Sequence, residues 1–355
     1  MNSLIDTQPT AKPKFSRIKI AAIVMSIFGM AVFCYFVYAV GVREIVDGIS
    51  RFGFVGFAVI LTIYFLRICA RSYAWKLCVQ SPDKLEIYDT VPATLIGEAL
   101  SSTLPLGILI SGTSKAIAVR ERVRFVVGLS SVATENLYYS FITGIFLMLG
   151  AMFLLRGFAV DEGVRYTLNL MIGTLVVATI LGLLMVIRQW HFASWICNWV
   201  YDRGFLTKIL EKGRGQVRRF EDLIYGFYRK YPQRFIPICL LEASYHCLGV
   251  AEVWFTLNRV GEAIPTLQTA FLLESVSRLV TILFKLIPFN IGVDEAGAEF
   301  VGTAIALTAG LGVTLAIIRK GRILFWTAIG WLLILKRGMT VKDLSNKPQV
   351  AQTSA

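Results

Sequence analysis

The sequence predicts an all-α polytopic membrane protein, on two observations of composition and one of pattern. Of its 355 residues, 56% are hydrophobic and 17% are charged, and the mean hydropathy is +0.65, values outside the range of ordinary soluble domains. The apolar residues form runs that reach the roughly 20 residues needed to cross a membrane. The chain has room for about six to eight such helices, and a sizeable soluble catalytic domain is excluded.

The chain begins with a polar, basic tail at residues 1–17, followed by an apolar run at 18–40 without a small-x-small cleavage motif. This run is longer than a signal-peptide core, so we interpret it as an uncleaved first span. Because basic residues collect on the cytoplasmic side, the tail indicates a cytoplasmic N-terminus. We expect a multi-pass protein of the inner (plasma) membrane with both termini cytoplasmic, in which 18–337 form one transmembrane domain and 338–355 a cytoplasmic tail.

The first half is predicted to contain a broken segment. An apolar run at 53–75 is followed by another at 87–110, and a basic cluster comes next, formed by Lys115, Arg120, Arg122 and Arg124. A full crossing by the second run would leave that cluster outside. A re-entrant hairpin broken at Pro105 and Gly107 keeps it in the cytoplasm, and non-helical backbone at membrane depth is tolerated where protein or a wet cavity covers it. Runs at 125–155 and 167–187 then cross in turn.

The loop at 188–234 carries ten Lys and Arg against four Asp and Glu, so the positive-inside rule places it in the cytoplasm. Apolar residues recur in it at helical spacing, at Val217, Phe220, Leu223, Ile224 and Phe227, after three tryptophans, Trp190, Trp195 and Trp199. A basic amphipathic helix of this kind is typical of the headgroup plane. A solvated linker with anchoring aromatic residues is the alternative interpretation, and basic residues beside spans do not indicate nucleic-acid binding.

The second half repeats the order of the first in the opposite direction. A span at 235–257 precedes a segment broken at Pro288 and Gly292, and a last helix from Val313 to Leu335 ends before further basic residues. Short segments interrupted by Gly and Pro at matching positions of two halves are typical of transporters built from inverted repeats. Eight ordinary crossings are the alternative, although they place the Lys115–Arg124 cluster outside.

Ionisable residues inside the apolar segments carry most of the functional information, because their burial in a membrane is costly. The candidates for substrate binding are Lys115, Glu135, Glu274, Arg278, Lys285, Glu295, Arg319 and Arg322. Cations beside broken helices suit a phosphate or carboxylate group. The alternative is a set of internal salt bridges. Arg67 and Arg71, near the predicted cytoplasmic end of their span, are expected to snorkel.

The sequence also offers acidic residues and two histidines that could form a metal or catalytic site. Asp294 and Glu295 follow Gly292 in a first helical turn, where capping alone favours acidic residues, and with only two histidines in the chain we predict no metal site and no cofactor. Glu242 and His246, one turn apart, could form a proton relay. No nucleophile accompanies them, so we predict a protein that is not an enzyme.

Two stretches resemble a known family. TLPLGILISGTSKAIAVRERV, followed by ATENLYYSFITGIFLML, is similar to the first half of the lysylphosphatidylglycerol synthase transmembrane-region family of flippase-like proteins, and LIPFNIGVDEAG with the helix after it is similar to its C-terminal signature. The matching positions are Pro105, Gly107, Gly112, Glu135, Pro288, Gly292, Glu295, Arg319 and Arg322. The chain departs from the pattern at Ser114, Lys115 and Asn136, where the family usually has paired glycines and basic residues.

The resemblance implies a flippase-like protein without the lysyl-transferase half, and 18 residues follow Arg337 in this chain. Together with the buried cations it leads to one hypothesis: the protein binds and translocates, or presents, an anionic membrane lipid or a polyprenyl-phosphate-linked intermediate. The alternative is a non-catalytic accessory or scaffold subunit for a membrane-associated biosynthetic enzyme. An intramembrane enzyme using Glu242 and His246 is a third hypothesis, for which the sequence shows no nucleophile nearby.

Overall fold

The structure is a computed structural model that describes residues 42–103, 107–157, 162–203, 207–260, 266–284, 287–304 and 310–336, together with Tyr35 and Tyr38. Within these residues the chain forms eleven α-helices and two short 3-10 turns, with no strand. The predicted all-α fold is therefore confirmed. Most of the first predicted span, Pro105, Lys285 and both predicted tails lie outside the described residues.

The first half consists of α1 (Val42–Cys78), α2 (Ile87–Thr103), α3 (Gly107–Ala118), α4 (Phe125–Gly157) and α5 (Glu162–Arg188). α1 begins well before the apolar run that predicted it. It bends at Gly53, whose φ of +67° lies in the region that glycine adopts at little steric cost. This bend separates a short, more exposed segment from the apolar helix that carries Arg67 and Arg71.

The cytoplasmic loop of the prediction is helical as well, with α6 (Phe192–Asp202), α7 (Thr207–Lys230) and a 3-10 turn (Pro232–Arg234). The apolar stripe of α7 packs on the bundle, where Phe227 is fully buried in one cluster with Ala74 and Ile238. The predicted amphipathic helix is therefore present as α7, but its apolar face is covered by protein, and its placement relative to a membrane stays a prediction. α6 follows a different pattern, since Trp195 and Trp199 remain exposed.

The second half consists of α8 (Phe235–Val260), α9 (Leu267–Leu283), a 3-10 turn (Pro288–Asn290), α10 (Val293–Ala304) and α11 (Leu311–Lys336). The turn between α9 and α10 includes Phe289 and Asn290 with positive φ, followed by Gly292 at +85°. The chain reverses direction here through left-handed backbone. The predicted last helix is confirmed to within two residues at its start.

Both predicted breaks separate helices that fold back on each other. A Cβ added at Gly97 of α2 would lie 2.8 Å from Lys115 Cγ of α3, and one at Gly297 of α10 would lie 2.7 Å from Val280 Cγ2 of α9. In the second hairpin Ser277 Oγ also donates to Asp294 Oδ1 at 2.7 Å. The hairpins are thus present in the fold, and their re-entrant placement in a membrane stays a prediction.

Four helical segments of the described chain are long and apolar enough to cross a membrane: Ile49–Cys78, Phe125–Gly157, Arg165–Gly182 and Pro232–Val260. α11 is about 39 Å long at 1.5 Å per residue, but it carries Arg319, Lys320 and Arg322 within one turn. Its apolar character is interrupted at that point. The count of six to eight crossings stays a prediction.

The two halves pack around the central pair α1 and α8, which run antiparallel. Phe52 of α1 shares a cluster with Val260 of α8, whereas Ala74 at the other end shares one with Ile238. The contacts among α1–α4 and α8–α11 are symmetric. If α1, α2, α3 and α4 are replaced by α8, α9, α10 and α11, and the reverse, each pair of these eight helices that packs together becomes another pair that packs together. In particular, α2 packs on α11 and α9 packs on α4, so each hairpin leans on the long helix of the other half.

Candidate functional site

Six charged residues form a buried ion-pair network in the bundle, which we call the arginine cluster: Arg67, Glu252, Glu274, Arg278, Arg319 and Arg322. Arg67 joins its two carboxylates. Arg67 Nη1 donates to Glu252 Oε2 at 3.1 Å and Nη2 donates to Glu274 Oε1 at 3.2 Å. All three of these side chains are fully buried, so the network lies within the protein.

The two carboxylates are shared by four guanidinium groups. Glu274 accepts from Arg278 Nη2 at 2.7 Å, from Arg319 and from Arg67, and Glu252 also pairs with Arg322. The Nε atoms of Arg67, Arg278 and Arg322 are buried with no hydrogen-bond acceptor in the described chain. A guanidinium offers five donors. The arginine cluster thus holds more donors and more positive charge than its own glutamates satisfy.

A polar cavity of about 150 Å³ adjoins the arginine cluster and is lined by Arg278, Arg319 and Arg322. Both hairpins border it close to their breaks: Ser101 and Ser102 stand at the end of α2, and Phe289 and Asn290 belong to the turn between α9 and α10. Among the described residues that line the cavity, Asp294 is the one acidic residue. The cavity therefore combines guanidinium, hydroxyl and amide groups where the two hairpins meet.

Four predicted site residues come together here, namely Glu274, Arg278, Arg319 and Arg322. Glu295 lies apart: its carboxylate is fully buried, accepts from the Gly292 backbone N–H at 2.8 Å and pairs with Lys320 Nζ at 2.6 Å. Bonding to the backbone at the start of α10 is what helix capping predicts. Lys285 falls outside the described residues.

The remaining two predicted binding residues belong to a second buried group, the carboxyl cluster, formed by Arg71, Lys115, Glu135 and Glu242. Glu135 Oε1 accepts from Arg71 Nε at 2.6 Å, and both Glu135 and Glu242 are fully buried. Lys115 is 3% exposed, and its ammonium lies 5.8 Å from the ring centre of Trp75. The Glu242 carboxylate interacts electrostatically with Glu135, Arg71 and Lys115.

Two expectations are corrected by this geometry. Arg67 and Arg71 do not snorkel: Arg67 is fully buried between two glutamates and Arg71 is bound by Glu135 and Asn136. The acidic partners come from other helices and remove the need to reach solvent. The Glu242–His246 relay also lacks its hydrogen bond, because His246 Nε2 pairs with Thr143 Oγ1 at 3.0 Å and neither Glu242 oxygen has a hydrogen-bond partner in the described chain.

Tyr245 separates the two charged clusters. Its ring centre lies 4.3 Å from the guanidinium of Arg67, 5.3 Å from that of Arg278 and 6.0 Å from that of Arg71. Its hydroxyl accepts from Arg278 at 3.3 Å. Aromatic faces attract cations at such distances. Tyr245 therefore contacts guanidinium groups of both clusters from one position on α8.

Sequence reasoning missed Arg67 and Glu252 as members of the arginine cluster. One signal was available in the sequence: Tyr64, Arg67 and Arg71 recur at helical spacing on one face of α1. In the structure this face meets the arginine cluster, and the Arg322 guanidinium lies 4.0 Å from the Tyr64 ring centre. A stripe that combines an aromatic residue with two arginines is unusual for a lipid-facing surface. The identity of their partners is set by tertiary packing.

A second, apolar cavity of about 790 Å³ opens between α4, α5, α7 and α8. It is lined by Phe141 of α4, Leu175 of α5, Tyr228 of α7 and Phe235 of α8. The side chains of α5 pack little against the other helices, since none of the residues in its apolar segment Arg165–Gly182 is buried. The groove is an apolar surface bordered by three helices that are long and apolar enough to cross a membrane.

Comparison with known proteins gives one positive result. No curated protein and no solved structure matches the chain. A family model described as the lysylphosphatidylglycerol synthase TM region matches residues 19–330, which include every described helix except the last six residues of α11. The chain therefore belongs to the lysylphosphatidylglycerol synthase transmembrane-region family.

Proposed function

We propose that the protein binds the phosphate-containing headgroup of an anionic lipid, or of a polyprenyl-phosphate-linked intermediate, in the cavity beside the arginine cluster, and translocates or presents it. The surplus of buried guanidinium donors supports this proposal most directly. Arginine binds phosphate through two parallel N–H donors, and such charge-assisted bonds are about twice as strong as neutral ones. The role is non-catalytic, and the protein acts in the membrane itself.

The apolar groove between α4, α5 and α8 supports a lipid over a water-soluble anion. An amphiphile has to place its chains in an apolar environment while its headgroup is bound, and this groove offers one on the same bundle. The headgroup and the chains then occupy two different surfaces of the protein.

The matching pattern of helix contacts in the two halves supports the proposed inverted repeat. In such transporters the substrate binds where broken helices from both repeats meet. Ser102 and Asn290 border one cavity although they come from different hairpins. The two hairpins would then enter the membrane from opposite sides and meet near its middle.

Reconstitution into liposomes tests the proposed activity. The assay measures movement of fluorescent anionic phospholipids and polyprenyl phosphates for wild type and Arg278→Gln. This variant removes a cavity-lining cation while Glu274 keeps Arg67 and Arg319 as partners, so the fold should survive. We expect the rate to fall about tenfold, equivalent to ~1.4 kcal/mol. Arg218→Gln is the matched control, because Arg218 is half-exposed on α7.

Wild-type movement no faster than in protein-free liposomes, for every anionic lipid, would contradict translocation. Equal rates for wild type and Arg278→Gln would contradict the assignment of the site.

Cysteine accessibility tests the inverted repeat independently. Glu121 lies beyond the base of the first hairpin and Thr266 at the base of the second, and both are exposed. In a cysteine-free background, Glu121→Cys and Thr266→Cys should react with an impermeant reagent from opposite sides of the membrane. Labelling of both from one side would refute the inverted arrangement.

A second candidate function, an accessory subunit for a biosynthetic enzyme, is favoured by the exposed face of α6. Phe192, Trp195 and Trp199 recur at helical spacing and are each about half-exposed. Trp195→Ser with Trp199→Ser should then abolish co-purification of a partner enzyme while lipid movement is unchanged. Retained co-purification would rule out this face as the contact.

A further inference from the structure

The carboxyl cluster contains oxygens that its own cations do not satisfy. Glu135 and Glu242 together have four carboxyl oxygens, and one of them, Glu135 Oε1, accepts a hydrogen bond from Arg71. The other three are buried without a hydrogen-bond partner in the described chain. Leaving a buried charged oxygen unpaired costs more than leaving a neutral one. Two fully ionised carboxylates therefore fit this site poorly.

Several charged or titratable groups surround Glu242, but none in the described chain donates a hydrogen bond to it. Charged or titratable groups that face Glu242 are Arg71 and Cys78 of α1, Lys115 of α3, Glu135 and Tyr139 of α4, and Cys239 of α8. Slightly further away, Glu98 of α2 faces Lys115 and Arg278 of α9 faces Tyr139. Tyr228 of α7 and Arg234 face Cys78. No ion pair joins Lys115 to either carboxylate within the part of the chain that the structure describes.

The two carboxyl groups face each other closely enough to interact as a hydrogen-bonded pair. An ionised carboxylate only accepts hydrogen bonds, so two of them can bond to each other only when one carries a proton. A proton on Glu242 would donate to the Glu135 oxygen that Arg71 leaves free. A single proton would thus satisfy two of the three unpaired oxygens.

We propose that Glu135 and Glu242 form a proton-binding site, with the proton carried by Glu242 and shared with Glu135 at neutral pH. The predicted relay is thereby replaced by a carboxyl pair, since His246 is bound to Thr143 instead. The proton is taken up from water and released to it, with no other chemical change. This site stands independently of lipid translocation.

A further expectation rests on the proposed function. If the protein binds an anionic lipid, protonation of Glu242 should change the affinity for that lipid in a defined direction. Protonation removes one negative charge ten residues, or about 15 Å along α8, from Glu252 of the arginine cluster. Over such a distance one charge changes the binding of a singly charged anion about fivefold. An anionic headgroup should therefore bind more tightly when Glu242 is protonated, and by linkage its binding should promote proton uptake.

Infrared spectroscopy of the purified full-length protein in lipid nanodiscs tests the proton site directly. At neutral pH we expect a carbonyl stretch of a protonated carboxylic acid that shifts in deuterium oxide. This band should be lost in Glu242→Gln and kept in Glu121→Gln, an exposed control. If the glutamine variant does not fold, Glu242→Asp provides the test instead. It keeps a carboxyl group, so it should shift the frequency of the band without removing it.

Absence of the band at neutral pH would overturn the proposal, and so would a band that survives in Glu242→Gln. The first result would indicate that Lys115 turns towards the carboxylates and pairs with them. Binding of a fluorescent anionic phospholipid gives the second measurement. Its affinity should fall about fivefold as the pH rises through the titration in wild type and stay constant in Glu242→Gln.

The two measurements separate the proposals. The infrared band with no lipid movement in liposomes would support the proton site and contradict lipid translocation. Lipid movement with no infrared band would support lipid translocation and contradict the proton site.

Discussion

The arginine cluster and the carboxyl cluster are built on the same pair of helices but differ in how their charges are satisfied. α1 supplies Arg67 to one and Arg71 to the other, and α8 supplies Glu252 and Glu242. In the arginine cluster every carboxylate has at least two guanidinium partners. In the carboxyl cluster, three of four oxygens have no donor. The first arrangement holds helices together, whereas the second is sensitive to the presence of a proton.

The largest effect should come from removing the shared carboxylate of the arginine cluster. Glu274→Gln leaves Arg67, Arg278 and Arg319 without their common anion in a buried site. Breaking a buried ion pair in this way costs about 3–5 kcal/mol. We expect a large drop in the thermal unfolding midpoint of the detergent-solubilised protein, followed by tryptophan fluorescence. An unchanged midpoint would show that the arginine cluster contributes nothing to the fold.

An intermediate effect should come from crowding the arginine cluster at Gly249 of α8. A Cβ at Gly249 would collide with Glu274 Oε1 and come within 3.0 Å of Arg67 Nη2. Overpacking of this kind costs about 1–3 kcal/mol, so Gly249→Ala should lower the unfolding midpoint. Gly173→Ala on α5 is the matched control, because a Cβ there meets nothing within 4 Å. Equal midpoints for the two variants would contradict the close packing of α8.

The smallest effect should come from the carboxyl cluster. Glu242→Gln replaces a protonated carboxyl by an amide of the same shape, and no ion pair to Glu242 is lost among the described residues. We expect the free energy of unfolding to change by less than about 1 kcal/mol at neutral pH. A loss as large as that of Glu274→Gln would mean that Glu242 is ionised and paired, and the contrast between the clusters would disappear.

Local features of the fold could be predicted from sequence, since they depend on nearby residues. The apolar runs gave the bounds of α4, α8 and α11 to within a few residues, and the Pro and Gly positions located both breaks between helices. The start of α1 was missed because its first residues are not apolar enough to extend the run.

Long-range pairing could not be predicted in the same way. Arg67 and Glu252 are 185 positions apart, and nothing in either local sequence specifies the other. The same holds for α7, whose amphipathic pattern is compatible with a lipid surface as much as with the protein surface on which Phe227 packs. Arg278, Arg319 and Arg322 likewise meet around one cavity only through tertiary packing, because Arg278 lies on α9 whereas Arg319 and Arg322 lie on α11.

Each hairpin packs on a long helix of the other half, and this has a consequence for biosynthesis. The surface of α4 that receives α9, and the surface of α2 that receives α11, are made long before their partners emerge from the ribosome. Until then Arg67 lies in an apolar helix, and its partners Glu252 and Glu274 have not yet been synthesised, whereas Arg71 already has Glu135 of α4. The first half therefore stays in the membrane with Arg67 unpaired, and a nascent chain interrupted after α5 should be a substrate for quality-control proteases.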